Sequence, residues 1–230
     1  MDEQELCAIA SQLSCPQGEL GIEVGYKMNE LNRFLTNKTI ESLSPKQGDY
    51  IAEIGPGNGA LSGHLLKSLG ANGRYLGIEL SETMAQEADT VLSNNDCEVS
   101  VVYGDCLTVD VEGESLDGVM AVNVIYFIED LIPVLKHLAK WIKPEGKIVF
   151  GLRSEKALES APFTDYGFNI RSTDEIMKLM EEAGFASIES AVFDEGEVPF
   201  GDMMISVDSV IIAGYKPAKN WGQSTFIPNI

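Results

Sequence analysis

Apolar and polar residues alternate along this chain with two different periods, which predict strands and helices in turn. Short apolar runs typical of buried strands occupy residues 50–54, 74–79, 98–103, 117–123, 147–152, 187–193 and 206–214. Helical patterns separate most of these runs, which favours a doubly wound α/β domain over separate blocks of strands and helices. The last two runs are close together and rich in β-branched residues, so we expect an antiparallel pair that closes the sheet.

The helices between the strands are marked by apolar stripes at the spacing of one helix face. Such stripes run through residues 61–69, 84–92, 131–142 and 176–183. Ser81 is expected to cap the second of these helices. Ser172 and Glu175 form a capping-box pattern at the start of the last one, and Gly184 is expected to end it. Residues 143–146, Lys-Pro-Glu-Gly, predict a turn that launches the fifth strand.

The pattern divides the chain into three regions. Residues 1–45 precede the first strand and carry a helical pattern, so we expect an N-terminal helical cap or lid over the cleft. Residues 46–215 hold the alternating strands and helices, and a chain of 230 residues is by default one domain with a full core. Residues 216–230 form a C-terminal extension in which Trp221 and Phe226 stand among Pro, Gly and Asn and fit no regular element.

The charge balance disfavours several classes of partner. Sixteen Lys and Arg against 36 Asp and Glu give a net charge of −20, and the resulting negative field argues against nucleic acid and anionic membrane. No apolar stretch approaches the roughly 18 residues that span a bilayer. The N-terminal residues 1–6 are acidic where a secretory signal is basic, so we expect a cytoplasmic protein.

The cysteines and histidines do not form a metal-binding pattern. The four cysteines are Cys7, Cys15, Cys97 and Cys106, and neither a C-x-x-C pair nor a zinc-like spacing occurs among them. Only His64 and His137 are available to help, so we expect no metal site. Reduced thiols in a cytosolic enzyme are the expected state, with thiol chemistry on a soft substrate as the alternative.

Residues 51–59 are the most informative stretch. They read Ile-Ala-Glu-Ile-Gly-Pro-Gly-Asn-Gly, an apolar run with one acid that breaks into a turn with three glycines in five positions. Such a turn between a strand and a helix is how a parallel sheet holds a nucleotide-like ligand, because Gly lets backbone approach the ligand and the helix offers free N–H groups. Gly55, Gly57 and Ala60 also satisfy the relaxed dinucleotide pattern, so spacing alone leaves both a dinucleotide and S-adenosylmethionine (SAM) open.

The acid at Glu53 favours SAM. A pyrophosphate on this turn would sit near the Glu53 carboxylate, and two negative charges a few Å apart repel by roughly 1 to 4 kcal/mol at effective dielectrics of 80 to 20. SAM carries an ammonium and a sulfonium, which an acid at the strand end attracts directly or through an ordered water shell. A turn that served only chain reversal would not require three glycines.

Three motifs in order resemble the class I SAM-dependent methyltransferases: Glu53–Gly59, then Gly77–Ser81 at the second strand end, then Gly104-Asp105 after the third. The similarity runs from about Leu20 to Tyr215 and is closest to the small-molecule branch of ubiquinone and menaquinone C-methyltransferase-like (methyltransferase type 11) enzymes. The resemblance implies a Rossmann-like, doubly wound, seven-stranded, mostly parallel sheet with an antiparallel last strand and helices on both faces. It makes residues 46–215 the SAM-binding methyltransferase domain, with S-adenosylhomocysteine (SAH) as product.

The resemblance also implies roles for individual residues. Glu79 takes both ribose hydroxyls, Leu80 and Met84 lie against the adenine, and Asp105 accepts from the adenine amino group while the next backbone N–H faces the ring. Asn123 lines the methionine part of the cofactor and the transfer site. The expected cofactor-binding residues are Glu53, Gly55, Gly57, Asn58, Gly59, Glu79, Leu80, Met84, Gly104, Asp105, Cys106 and Asn123.

The substrate side is expected to come from two further segments. Residues 25–32 resemble the N-terminal lid of this branch, and residues 162–168 resemble its segment after the fifth strand. The expected pocket residues are Tyr26, Met28, Asn32, Tyr126, Arg153, Phe163, Tyr166, Phe168 and Arg171. Phe163, Tyr166 and Phe168 suit a lid and a core equally well. The two arginines either hold a substrate carboxylate or phosphate, or pair with acids of the chain.

These features predict a SAM-dependent methyltransferase that acts on a small-molecule acceptor by in-line transfer. A general base is optional, and Tyr126, Asp165 and Tyr166 are the positional candidates, whereas His64 and His137 fall within helices and are expected to be structural. The alternatives are an NAD(P)-dependent Rossmann oxidoreductase and a non-catalytic SAM-binding module. The residues leave open a homodimer, and whether O, N, S, C or a metalloid accepts the methyl group.

Overall fold

The computed structural model describes residues 2–200 and 203–219, and these residues fold into a single sheet flanked by helices. In chain order the elements are α1 (Glu3–Ser14), α2 (Gly18–Leu43), β1 (Tyr50–Ile54), α3 (Gly63–Leu69), β2 (Arg74–Glu79), α4 (Glu82–Leu92), β3 (Glu98–Tyr103), β4 (Leu116–Val122), α5 (Leu131–Trp141), β5 (Ile142–Leu152), α6 (Glu155–Glu159), α7 (Thr173–Glu182), β6 (Ala186–Phe200) and β7 (Met203–Tyr215). Short 3-10 turns lie at Ile125–Phe127 and Pro162–Asp165.

The sheet has the order β3-β2-β1-β4-β5-β7-β6. Strands β3, β2, β1, β4 and β5 are parallel, and β7 runs antiparallel to both β5 and β6. The direction in which successive strands are added reverses at β1: β2 and β3 lie on one side of it, and β4 and β5 lie on the other. Ligands of open α/β sheets bind at such a switch point, outside the carboxyl ends of the strands. The predicted Rossmann-like, mostly parallel sheet with an antiparallel end is confirmed.

Strand residues alternate between two buried faces, so the core has two layers. Ile51, Tyr75 and Met120 pack on one face with the apolar side chains of α2, α3 and α4. Ala52 and Leu76 pack on the other face, which α5 and α7 cover. The polar residues at the strand ends therefore belong to a defined face, and Glu53 lies on the same face as Tyr75.

The helix starts follow the predicted caps. The hydroxyl of Ser81 accepts from the N–H of Met84, and that of Ser172 accepts from the N–H of Glu175. Gly184 has φ +99°, the left-handed conformation that ends a helix most easily at glycine. Two stripes were predicted slightly too long: α3 begins at Gly63, so Leu61 precedes it, and Ile142 is the first residue of β5 and not the last of α5.

Three boundaries of the last strands differ from the prediction. Residues 143–146 do not form a plain turn before β5, because that strand begins at Ile142 and contains an irregularity opposite Leu116 to Gly118. Within it, Glu145 has φ +67° and its N–H donates to the carbonyl of Lys216. Strands β6 and β7 continue to Phe200 and from Met203, beyond the last β5–β7 pair, so they extend as a two-stranded arm.

The predicted N-terminal cap region contains two helices, and the longer one, α2, packs across β4, β5 and β7. Residues 220–230 of the predicted C-terminal extension, with Trp221 and Phe226, lie outside the described residues. Among the residues that are described, no helix is long and apolar enough to cross a membrane.

Candidate functional site

The glycine turn after β1 adopts a conformation that favours glycine. Gly55, Gly57 and Gly59 have φ values of +69°, +58° and +74°, a region that side-chain-bearing residues rarely enter. A Cβ on Gly55 would lie 2.6 Å from Cγ2 of Val124, and one on Gly59 would lie 3.0 Å from Leu92 of α4. Position 57 has no atom within 4 Å of a Cβ, so backbone is exposed there to an approaching ligand.

The carboxylate of Glu79 joins this turn to the end of β2. Its Oε2 accepts from the N–H of Gly57 at 2.9 Å, and its Oε1 accepts from the N–H of Ser81 at 2.9 Å. Glu79 is only 6% exposed, and burial, as the largest cause, raises the pKa of its carboxyl group. A carboxylate oxygen can accept more than one hydrogen bond, so each Glu79 oxygen can still accept from a hydroxyl group of a ligand. The geometry holds the carboxylate in one orientation.

Glu53 is buried beside the turn and is held by two hydroxyl groups. Ser62 donates to its Oε2 at 2.6 Å and Tyr75 donates to the same atom at 2.7 Å. Burial raises the pKa of the Glu53 carboxyl group, and the two hydrogen bonds oppose that rise. Neither hydroxyl was expected at the site from the sequence. The available signal was the period of the strand, which puts Tyr75 two residues before Gly77 on the face of Glu53.

Asn123, directly after β4, connects three elements at the carboxyl edge of the sheet. It has φ +56°, and its N–H donates to the carbonyl of Gly151 in β5 at 2.8 Å. Its Nδ2 donates to Oδ1 of Asn32 in α2 at 2.9 Å, and its Oδ1 accepts from the hydroxyl of Tyr126. A strained non-glycine backbone at a ligand-facing edge is a feature of functional sites, since surrounding contacts must hold it in place.

The residues expected around adenine lie at the ends of β2 and β3. The N–H of Gly104 donates to the carbonyl of Glu79 at 2.9 Å, which brings the two strand ends together. Asp105 is exposed, and its Oδ1 accepts from the N–H of Leu107, whereas Cys106 is buried. Leu80 is 53% exposed and is therefore available to a ligand.

Helix α2 and the segment before it cover this edge. Gly25 of α2 lies against Met84 and Asn58, since a Cβ on it would be 3.1 Å from Sδ of Met84 and 3.5 Å from Nδ2 of Asn58. Met84 is 1% exposed, so in this arrangement α2 covers the side chain that was expected to contact adenine. The N–H of Gly18 donates to Oγ1 of Thr83, and the hydroxyl of Ser81 donates to the carbonyl of Pro16.

Tyr126 does not suit the role of general base. Its hydroxyl is buried, donates to Asn123, and accepts from the N–H of Arg153 at 3.2 Å. Burial raises the pKa of Tyr126, which disfavours the phenolate that a base would require. The ring stacks on Phe168 with centroids 5.7 Å apart, so Tyr126 packs in the core and holds Asn123 through its hydroxyl.

The segment of residues 162–168 divides between surface and core. Asp165 is exposed, and its turn packs against α1. Burial and then the charge of Glu3 in α1 raise the pKa of Tyr166, which disfavours the phenolate that a base would require. Phe168 contacts Phe163 and Tyr126 and packs against the main core cluster. The open choice between lid and core is resolved as core for Phe168.

Both arginines expected at the substrate are occupied by the chain itself. The guanidinium of Arg153 donates to the carboxylate of Glu195 at 2.5 Å and to the carbonyls of Asp208 and Leu31, each at 2.7 Å. That of Arg171 donates to four carbonyls, which belong to Ile125, Ile128, Glu129 and Asn169. These bonds hold loops together, so of the two interpretations left open by the sequence the structure favours pairing within the chain over contact with a substrate anion.

The remaining expected residues differ in exposure. Tyr26 is 59% exposed, whereas Met28 and Asn32 are partly buried and Asn32 accepts from Asn123. His64 and His137 lie in α3 and α5, and His137 contacts the ring of Trp141 with centroids 4.9 Å apart. No group of three His, Cys, Asp or Glu suited to a metal ion occurs in the described part of the chain.

Residues 51–146 match the family model described as a methyltransferase domain. The chain is 25% identical over 159 residues to phosphoethanolamine N-methyltransferase 1 of Arabidopsis thaliana. The aligned region covers 66% of this chain and 32% of that protein. It is 22% identical over 194 residues to demethylmenaquinone methyltransferase of Staphylococcus aureus (strain JH9), which covers 73% of this chain and 80% of that protein. The chain thus spans about a third of the length of the phosphoethanolamine enzymes that it matches.

Two solved structures share the fold over most of their length. One is a Haloferax volcanii methyltransferase in complex with the Trm112 methyltransferase activator, with a TM-score of 0.72, 18% identity, and coverage of 93% of this chain and 98% of that one. The other is a protein described as a SAM-dependent methyltransferase from Thermotoga maritima, with a TM-score of 0.63, 23% identity, and coverage of 85% and 94%.

Proposed function

We propose that this chain, which belongs to the class I SAM-dependent methyltransferases, transfers a methyl group from SAM to a small-molecule acceptor. The observation that carries the proposal is the carboxylate of Glu79, whose two oxygens accept from the N–H groups of Gly57 and Ser81. A carboxylate held in this way at the switch point suits the two hydroxyls of a ribose.

The site residues fit SAM on observations that do not depend on the relatives. The glycine turn leaves space where a Cβ on Gly57 would contact nothing within 4 Å, so a cofactor can approach the backbone closely there. Two buried acids, Glu53 and Glu79, lie on neighbouring strands, which suits a ligand with positive charge. Glu53, beside the turn, disfavours the pyrophosphate of NAD, whereas Glu79 suits the ribose of either cofactor. We infer that the cofactor-binding residues expected from the sequence hold SAM, with Met84 acting through its contact with Gly25 of α2.

The chemistry supplied by bound SAM is an electrophilic methyl group on a sulfonium, which an acceptor atom takes by in-line displacement. The chain's own contribution is alignment and exclusion of water. Asn123 fixes the end of β4 through its bonds to Gly151, Asn32 and Tyr126. Helix α2 covers the glycine turn at Gly25, which keeps bulk water from that edge.

We propose that the transfer uses no general base from Tyr126, because its hydroxyl is buried and hydrogen bonded. Asp165 stays a candidate only if its turn moves toward the cleft, and the raised pKa of Tyr166 disfavours its phenolate. An acceptor that is already nucleophilic near neutral pH, such as a weakly basic amine, a thiolate or a stabilised carbanion, therefore suits the site best.

Isothermal titration with SAM, SAH and NAD tests the cofactor. Binding of SAM and SAH without NAD is expected, whereas tight NAD binding without a SAM signal would contradict the proposal and favour an oxidoreductase. Transfer of a labelled methyl group from SAM then tests the reaction with phosphoethanolamine, a demethylmenaquinone analogue, and panels of amines, thiols, phenols and carbon acids. Firm SAM binding with no transfer to any acceptor would favour the non-catalytic module.

We also propose a location and an assembly for this chain. The four cysteines are free in the described structure, which supports a reducing, cytoplasmic environment. A solved relative binds an activator protein, so we propose that a protein partner, or a second copy of this chain, is the assembly to test. Light scattering after size-exclusion chromatography separates monomer, homodimer and hetero-complex directly.

A further inference from the structure

The fully buried hydroxyl of Tyr75 has a defined partner at the edge of the cleft. Tyr75 is 1% exposed on β2, and its hydroxyl donates to Oε2 of Glu53 at 2.7 Å. Ser62, which is also buried, donates to the same oxygen at 2.6 Å. Two hydroxyl groups from two different elements thus end on one atom of one carboxylate. Nothing in the described part of the chain donates to the other oxygen, Oε1, which therefore keeps its hydrogen-bonding capacity.

The route of the tyrosine ring depends on a glycine. Gly77 is the register partner of Glu53 across β1 and β2, and Tyr75 lies two residues before it on the same face. A Cβ on Gly77 would lie 3.2 Å from both Cε1 and the hydroxyl oxygen of Tyr75, closer than ordinary contact. The ring therefore occupies the space that a side chain at position 77 would take, and this brings its hydroxyl to Glu53.

The two hydrogen bonds restrict Glu53 in a way that packing alone would not. A glutamate side chain that loses its rotational freedom before binding has less entropy to lose when a ligand arrives. Donors that end on an ionised oxygen also favour the charged form of a buried carboxyl group. The charge of Glu53 also raises the pKa of the Glu79 carboxyl group, because two negative charges here repel each other.

We propose that Tyr75, together with Ser62, is a positioning residue that holds the Glu53 carboxylate in one orientation for the positively charged methionine end of the cofactor. The inference rests on the proposed function and deepens it. Tyr75 itself does not touch the cofactor, since its hydroxyl is buried behind Glu53. Its effect should therefore depend on whether the ligand carries the methionine ammonium group.

The test compares two ligands on four proteins. Titration calorimetry measures SAH, which carries the ammonium, and 5′-methylthioadenosine, which has the same nucleoside but no amino-acid part. Tyr75→Phe and Ser62→Ala each remove one hydroxyl, and Tyr50→Phe is the matched control. Tyr50 is on β1 with its ring beneath the guanidinium of Arg74, 4.0 Å away, and outside the site. A thermal unfolding curve for each variant establishes that it is folded.

Tyr75→Phe is expected to weaken SAH binding about tenfold, because one hydrogen bond to a charged group is lost, and to change methylthioadenosine binding less than about twofold. Ser62→Ala is expected to show the same selectivity, and it keeps the proposal testable if Tyr75→Phe does not fold. Unchanged SAH affinity in both variants, or equal losses for both ligands, would overturn the inference alone. Failure of the wild-type protein to bind SAH would overturn the proposed function and the inference with it.

Discussion

Oε2 of Glu79 accepts a hydrogen bond from the N–H of Gly57 at 2.9 Å, which ties the acid at the end of β2 to the glycine turn after β1. The Glu79 carboxylate and the glycine turn, which are expected to contact different parts of the cofactor, are therefore hydrogen bonded to each other. Because the carboxylate is already oriented, binding costs less side-chain entropy than it would for a free glutamate. The site is preorganised by the sheet before any ligand is present.

Glu79→Ala is expected to weaken SAH binding at least tenfold. The variant removes the charge-assisted acceptors proposed for the ribose hydroxyls, each worth about 1.5–3 kcal/mol. It also leaves the N–H groups of Gly57 and Ser81 without their acceptor. Calorimetry measures the affinity, and Glu98→Ala is the control, since Glu98 is an exposed acid of β3 that pairs with Arg74 at 3.5 Å. Affinity within about twofold of wild type in Glu79→Ala would contradict the assignment.

Gly55→Ala is expected to lower the free energy of unfolding by about 2 kcal/mol or more. Gly55 has φ +69°, which costs an alanine about 1–2 kcal/mol, and the added Cβ would lie 2.6 Å from Cγ2 of Val124. Chemical denaturation monitored by circular dichroism gives the value.

Gly63→Ala is the matched control for that change. Gly63 is the first residue of α3, and a Cβ there would meet no atom within 4 Å. Alanine has the higher helix propensity, so this variant should be as stable as wild type or more stable by up to about 1 kcal/mol. Equal stabilities of the two variants would show that the turn does not need glycine at position 55.

Asn123 offers a way to separate backbone strain from side-chain hydrogen bonds. Asn123→Gly relieves the strain at φ +56°, whereas Asn123→Ala keeps it, and both lose the bonds to Asn32 and Tyr126. The glycine variant is therefore expected to be more stable than the alanine variant by about 1 kcal/mol. Both should show faster amide hydrogen exchange in α2 near Asn32. Exchange in α2 that matches wild type would mean that Asn123 does not hold this helix.

Glu53→Gln is expected to stabilise the folded protein at pH 8 while weakening SAM binding. Burial raises the pKa of Glu53 above its ordinary value of 4.5, so wild-type stability from this group is complete below that value and falls as the pH rises through the folded-state pKa. Glutamine does not titrate, yet still accepts from Ser62 and Tyr75. Its advantage should shrink as the pH falls toward 5, as measured by denaturation at each pH.

The exposed Glu181 of α7 provides the control for that series, because Glu181→Gln removes the same charge far from the cleft. A gain of equal size in Glu181→Gln would attribute the effect to the net charge of −20 and not to burial. A loss of stability in Glu53→Gln at pH 8 would contradict the account of the buried carboxylate. Gain of stability with loss of affinity is the trade-off expected at a functional site.

The fold was largely predictable because its strands are short and buried on both faces. The bounds predicted for β1, β2 and β3 coincide with those observed, since the apolar runs end at Gly or polar residues. The extended β6–β7 arm was not predicted. In this arm, residues 194–200 pair with residues 203–208. Acids such as Asp194 and Glu197 interrupt the apolar pattern there. Because the arm lacks a sustained alternation of apolar and polar residues, local periodicity does not mark its extent.

The parts of the candidate site that depend on backbone position were predictable from the sequence. The hydrogen bonds and ion pairs between its side chains were less so. The glycine turn and Glu79 follow from strand ends, which a pattern locates. The sequence could not show that Arg153 pairs with Glu195, 42 residues away, or that the Tyr126 hydroxyl is held by Asn123. Each of these choices depends on which loops meet above the sheet. For the same reason Tyr75 and Ser62 were missed, although both bind the acid that the sequence singled out.

A crystal structure of the complex with SAH tests the central claim most directly. The account predicts that the ribose hydroxyls lie within hydrogen-bonding distance of the Glu79 carboxylate, and that the methionine end lies over the turn from Gly55 to Gly59 beside Glu53. SAH bound elsewhere on the chain, or bound with its ribose away from Glu79, would contradict it.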